Sequence, residues 1–397
     1  MSEGGGFFSR MKNAFVGILV GIAMFFGSFA LIWWNEGNAV DDFRSIGELD
    51  QLTVAASAEK VDPKNEGNPV HITAEATTEE RLEDSAFGIG AVAIRLQRRV
   101  EMYQWEESSN SKSDSSEKTY SYRKVWSEKA IQSAKFNEAS THKNPGMKWS
   151  KYTPNASDVS FGQAFKLPEF LIEDLDNFTA LPVKETPPEI PNAKLHEGGL
   201  YISDGGGSES FPMIGDYQVK FSVVNPGPAS LIAKQVGNSF EKWRTEKVDP
   251  PKEKFIIRAG THTQSALIEI LEDRAKLIMW LLRGGGFLLM FFGILAIVKP
   301  ISVIADAIPF IGNFIEGGIA IVAGLVAGIL TLITIIIAWV AHRPVVALIL
   351  LVGVGFLIFL LVRRSKAGKA ARQRLPHPHD TPPPPPGLDT PPPPPVG

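Results

Sequence analysis

The 397-residue chain contains no cysteine. That excludes disulfides, thiolate metal sites and a cysteine nucleophile. Any extracytoplasmic part must therefore hold itself together by burial alone. Charge of one sign is also missing: 40 Lys and Arg stand against 43 Asp and Glu, a net charge of -3. No basic face with interleaved aromatics stands out, so nucleic acid is not expected as a partner. Catalytic signatures are absent too. The seven histidines, at 71, 142, 196, 262, 342, 377 and 379, form no HExxH arrangement. Neither G-x-S-x-G nor GxxxxGK[ST] occurs. Gly88-Ile89-Gly90-Ala91-Val92-Ala93 loosely matches a dinucleotide fingerprint, but an alternating strand follows where a helix N-terminus is needed. The acidic runs, such as Glu79, Glu80, Glu83 and Asp84, read as solvated faces. No metal, no cofactor and no catalytic residue is expected.

What the chain does have is segregated apolar sequence, hidden by a mean hydropathy near zero. Residues 14–34, 287–298, 319–341 and 345–362 carry no charge. A bilayer core about 30 Å thick needs about 20 mostly apolar residues to cross it as a helix. Residues 14–34 end in Trp33-Trp34, an interfacial anchor and not a cleavage site. Four transmembrane helices are expected, at 14–34, 277–298, 319–341 and 345–362. Arg283 interrupts the second and reads as an interfacial arginine that snorkels.

Arg10 and Lys12 precede the first span, and a basic cluster from Arg363 to Arg374 follows the last. Excess Lys and Arg mark the cytoplasmic side, so both termini are placed inside. Residues 1–13 form the cytoplasmic N-terminus, 35–276 the extracytoplasmic domain, and 363–397 a basic, then Pro-rich, disordered tail. The tail repeats Thr plus five prolines, a polyproline II segment that could dock in an aromatic groove or serve as a spacer. Between the second and third spans, residues 299–318 read as a cytoplasmic interfacial helix. Ser302, Asp306, Asn313 and Glu316 lie on one polar stripe, with Pro309 among them. Small residues recur at helical spacing in the spans: Gly17 and Gly21 in the first, and Ala320, Gly324 and Gly328 in the third. Such stripes let helix backbones approach closely.

The extracytoplasmic domain reads as β-rich. Tyr217, Val219, Phe221 and Val223 alternate with polar residues, a half-buried strand. Residues 91–106 form a long strand in which Arg98 breaks the phase, suggesting a bulge or bend. With the polar run 108–118 and the alternation at Tyr120 and Tyr122, it predicts a long hairpin with an exposed tip. Helices are expected over 168–177 and 263–276. The fold class is therefore an α+β membrane protein: four transmembrane helices, one interfacial amphipathic helix and a large β-rich extracytoplasmic domain.

Several stretches resemble the LUMA family (transmembrane protein 43). They include Asn35-Glu36-Gly37, the run Val100-Glu101-Met102-Tyr103-Gln104-Trp105, His142-Lys143-Asn144-Pro145, Gly215-Asp216 and Arg343-Pro344, in order from about residue 12 to 362. The resemblance implies a non-enzymatic membrane scaffold that self-associates and organises membrane or envelope protein complexes. Its partners would be membrane lipids, further copies of itself, and unidentified membrane or cytoplasmic proteins reached through the Pro-rich tail. Animal members are described as nuclear-envelope scaffolds binding lamins and emerin. The tail here has no family counterpart, and a bacterial inner-membrane protein is expected, with residues 35–276 periplasmic. Two rival functions are an enzyme acting on lipid or cell-envelope components, and an oligomeric transporter or channel.

Overall fold

The computed structural model describes residues 4–111, 118–305 and 312–343, and ten positions between 345 and 360. The described residues divide into two compact units, one formed by 1–40 with 282–397 and the other by 41–281. Among them are three helices long and apolar enough to cross a membrane. These are α1 (Gly4–Leu52), α3 (Gln264–Ala305) and α4 (Gly312–Ala341); the short α2 (Glu169–Asp174) belongs to the second unit. Of the expected fourth span, the described positions, including 352–356, are helical. Its other positions lie outside the described residues, as do Asp306, Pro309 and Pro344. The segment read as a separate interfacial helix begins as the last turns of α3, to Ala305, and ends as the first turns of α4, from Gly312.

In the membrane unit, Ile32, Met290 and Ala327 are fully buried, with Phe25, Phe29, Phe287 and Phe291 packed around them. The α1 and α3 backbones approach closely at two glycines. A Cβ added at Gly21 would stand 2.8 Å from the Gly293 carbonyl oxygen, and one at Gly293 would stand 2.8 Å from the Phe25 nitrogen. Of the small-residue positions singled out from sequence, Gly17 and Gly328 have nothing within 4 Å of such a Cβ, and Gly324 meets only the Phe291 ring. Ala320 is half-buried.

The β-rich unit is built on two sheets. The strands used below are β1 (Pro69–Thr77), β2 (Arg95–Ser111), β3 (Lys118–Ser127), β4 (Gly199–Ile202), β5 (Tyr217–Val224) and β6 (Gly227–Val236). One sheet runs 193–196, β4, β5, β2, β3, all antiparallel neighbours, with 179–181 also on β5. The other centres on the antiparallel pair β6 and β1, with 256–259 on β6 and 160–161 on β1. Val70, Ile72, Leu96, Val100, Val219, Phe221 and Leu231, drawn from both sheets, belong to one apolar core. A smaller core joins the helical stretches of this unit to the second sheet. Ile46 and Leu49 of α1, and Leu267, Ile268 and Leu271 of α3, pack with Ile232, Trp243 and Ile256. α1 therefore stays helical 18 residues past Trp34, beyond the expected start of the β-rich domain.

β5 alternates as expected, with Tyr217, Val219, Phe221 and Val223 buried. The long strand differs from expectation at one residue. Ile94, Leu96, Arg98, Val100, Met102 and Gln104 are all buried, so Arg98 keeps the phase. It occupies an inward position because Asp84, itself buried, accepts from its Nη1 on both oxygens at 2.8 Å. The Ser150 carbonyl accepts from its Nε at 3.1 Å, and the guanidinium lies over the Phe87 ring. A charge at an inward position is tolerable when it is paired and hydrogen-bonded this fully.

Candidate functional site

β5 pairs with β2 over Arg95–Met102, and β3 pairs with β2 from Met102↔Ser127 to Ser111↔Lys118. Beyond Met102 the hairpin continues as a two-stranded ribbon, the expected long hairpin. Its tip, 112–117, lies outside the described residues. A two-stranded ribbon is marginal in water without further packing, so the supports of this one are informative. Alternation puts Tyr103, Trp105 and Glu107 of β2 on one face, opposite Trp126, Lys124 and Tyr122 of β3. Tyr103 and Trp126 are 5.1 Å apart between ring centroids, and the Lys124 ammonium sits 5.0 Å from the Trp105 ring.

The segment following β3 returns across this aromatic ladder. His142 stacks on Tyr122 at 3.8 Å with rings nearly parallel, and meets Trp105 edge-on at 4.6 Å. The Tyr122 hydroxyl donates to Glu107 at 2.7 Å and accepts the Glu138 N–H at 2.9 Å. Burial, reinforced by the Glu107 carboxylate, pushes its pKa up. Asn144 pairs with both backbone groups of Trp105: its Oδ1 accepts the N–H at 2.7 Å and its Nδ2 donates to the carbonyl at 2.9 Å. Ser133 Oγ accepts the Asn144 N–H, and the Ile131 carbonyl accepts a second bond from Nδ2. Pro145 stands against Gly215, which adopts φ +97° and whose N–H reaches the Tyr103 carbonyl. Next to it, Asp216 is buried and accepts from the Tyr201 hydroxyl at 2.5 Å and the Met213 N–H at 2.7 Å.

A second polar cluster lies inside the membrane unit. Arg283 of α3 donates through Nε to Glu36 Oε1 at 2.6 Å and through Nη2 to Oε2 at 2.8 Å. Glu36 is 1% exposed, and its neighbour Asn35 is buried as well. Beside it, the His342 ring lies against Gly37, where a Cβ would meet it at 2.8 Å, and packs on Trp33 at 5.3 Å. Arg343 lies over the Trp339 ring. Arg283, expected as a snorkelling interfacial residue, forms a two-bond ion pair with buried Glu36. The pairing was not visible from sequence because 247 residues separate the partners.

His142 lies between aromatic rings, with Nδ1 near Thr141 Oγ1 at 3.0 Å and Glu138 at 3.7 Å. No group of three or more His, Asp or Glu that could hold a metal occurs among the described residues. At the ribbon Asn144 pairs with the backbone of Trp105, and in the membrane unit Arg283 and Glu36 link α3 to α1.

Comparison with known proteins places the chain among relatives. The family model for transmembrane protein 43 matches residues 102–344, which begins in β2 where the ribbon starts and ends beside His342. The chain belongs to the transmembrane protein 43 family. Transmembrane protein 43 of Mus musculus is 31% identical over 381 residues, covering 91% of this chain and 92% of the relative. That of Homo sapiens is 30% identical with the same coverage, and the Drosophila melanogaster homolog 28% over 84% of this chain and 91% of the relative. No solved structure matches the chain.

Among the positions the family resemblance singles out, Tyr103, Trp105, His142, Asn144 and Pro145 come together at the ribbon. Lys143 stands exposed beside them. Glu101 lies outside this cluster, pairing with Arg99 at 3.4 Å. Arg343 belongs to the membrane unit. The reading from sequence missed Tyr122 as the stacking partner of His142, and Asp84 and Asp216 as buried acids. The signal for Asp84 was present: an arginine in an inward-facing strand position implies an acid nearby.

Proposed function

We propose that this member of the transmembrane protein 43 family is a membrane scaffold that self-associates and organises membrane or envelope protein complexes. Family membership across nine-tenths of the chain supports this. The observation that carries it is how the motif residues are used. Tyr103, Trp105, His142 and Asn144 build and brace a projecting ribbon, the kind of element that meets another macromolecule. The membrane unit adds helix faces rich in exposed Ile, Leu and Val for lipid and for helix partners. The proposed topology puts both termini in the cytoplasm and residues 35–276 in the periplasm, across a bacterial inner membrane.

Native mass of the full chain in lipid nanodiscs tests the assembly. A defined multimer is expected, and a monomer at every concentration would refute it. The lack of cysteine makes topology directly measurable. Ser121→Cys should react with an impermeant maleimide from outside the cell, and Ser365→Cys only after lysis.

A further inference from the structure

The near-neutral charge of the whole chain conceals a local segregation. Residues 41–281 contain 29 Lys and Arg against 37 Asp and Glu, a net of -8. Within them the 34 residues 118–151 contain eight Lys and Arg against two Glu, a net of +6. These residues are β3 and the segment that braces the ribbon. All eight cations are exposed. Among the described residues, only Arg123 of the eight forms an ion pair, with Glu106. Elsewhere in the same unit seven of twelve described lysines are paired with acids. Per residue of sequence within the unit, cations outside ion pairs are thus densest in this stretch.

Lysines on an edge strand can serve simply to block strand-to-strand association. β3 is such an edge, but five of the lysines (129, 135, 143, 148 and 151) lie past its end. They alternate with aromatics: Tyr120, Tyr122, Trp126, Phe136, Trp149 and Tyr152 fall in or beside the same stretch. Two ammonium groups stand over indole rings, Lys124 on Trp105 and Lys148 on Trp149 at 4.5 Å. One small anion needs convergent donors. Cations strung along 34 residues suit an extended anionic surface, and Lys with Trp and Tyr is the pairing favoured at the lipid headgroup level. The protein is membrane-bound, so headgroups are always at high local concentration.

We propose that β3 and the segment to Lys151 form a docking face for an anionic phospholipid surface. The inference does not depend on self-association. The test uses the full chain in phosphatidylcholine nanodiscs, mixed with vesicles of phosphatidylcholine alone or with added phosphatidylglycerol, and scored by co-flotation. Binding is expected only to the phosphatidylglycerol vesicles, and it should fall about tenfold between low and physiological salt. The triple variant Lys124→Gln, Lys129→Gln, Lys143→Gln should weaken it about a hundredfold, near fivefold per lysine. Lys166→Gln, Lys220→Gln, Lys234→Gln makes the same change in charge at ion-paired positions and should leave binding within about twofold. Equal binding to both vesicles, or full binding by the first triple variant, would overturn the proposal. So would binding of soluble polyglutamate without any vesicle binding, which would assign the face to an acidic protein.

Discussion

Asn144 treats Trp105 as a neighbouring strand would, accepting its N–H at 2.7 Å and donating to its carbonyl at 2.9 Å. One side chain thus supplies a third-strand pairing to a ribbon that has left its sheet. Asn144→Asp keeps the acceptor but sets a carboxylate against the Trp105 carbonyl. Asn144→Ala removes both bonds. Each should destabilise the β-rich unit by about 1–3 kcal/mol, with the aspartate the worse. Hydrogen exchange across 103–107 should rise in both variants, while exchange in β1 and β6 stays slow. Unchanged protection at Trp105 would refute the bracing role.

The Glu36–Arg283 pair is buried on both sides, with side-chain exposures of 2% and 14%. Removing one partner takes two charge-assisted bonds from the other, so Arg283→Leu alone or Glu36→Leu alone should cost about 3–5 kcal/mol. The double variant should recover most of that loss, because two leucines leave no uncompensated charge. Thermal unfolding in one fixed lipid mixture gives the order. A double variant as unstable as the sum of the singles would show that the two residues do not act as a pair.

How much of this was legible in the sequence depended on whether the partner was near in the chain. β5 and the hairpin were readable because period-two alternation and a Ser/Asn tip are local signals. Arg98 was misread because a charge in an apolar phase looks like a break until Asp84 is known to face it. α1 was expected to end near Trp34, yet Ile46 and Leu49 continue one helical face, and that face is buried by Ile232 and Trp243, about 200 residues later. The ribbon cluster was found only as family motifs. Nothing in the spacing of Trp105 and Asn144, 39 residues apart, announces a pairing.

Helix packing gives a contrast between glycines that sequence treats alike. A methyl at Gly21 would collide with the Gly293 carbonyl oxygen at 2.8 Å and the Ala296 Cβ at 2.9 Å. Backbone cannot yield there without separating α1 from α3, so Gly21→Ala should cost roughly 1–3 kcal/mol. Gly17→Ala and Gly328→Ala meet nothing within 4 Å and should be neutral, or stabilising by up to about 1 kcal/mol from helix propensity. Thermal unfolding of the three variants in the same nanodiscs decides it. Equal effects at Gly17 and Gly21 would mean that the close α1–α3 approach is not present in lipid.

Alkaline pH tests the polar packing around the ribbon. Three of the six tyrosines have raised pKa values. For Tyr201 the causes are burial and then its hydrogen bond to Asp216, for Tyr217 burial, and for Tyr122 burial and then Glu107. In the unfolded chain all three ionise near pH 10. Above that pH the folded state holds protons that the unfolded state has released, so stability falls as pH rises. The contribution is complete below about pH 10 and is lost as pH climbs through the folded pKa values. Following tyrosinate by ultraviolet absorbance, half of the tyrosines should titrate late and together with unfolding. Tyr201→Phe should flatten part of the stability slope above pH 10, although it leaves Asp216 with one donor fewer and lowers stability at neutral pH by about 1–3 kcal/mol. A slope unchanged in Tyr201→Phe would show that Tyr201 does not carry the alkaline transition.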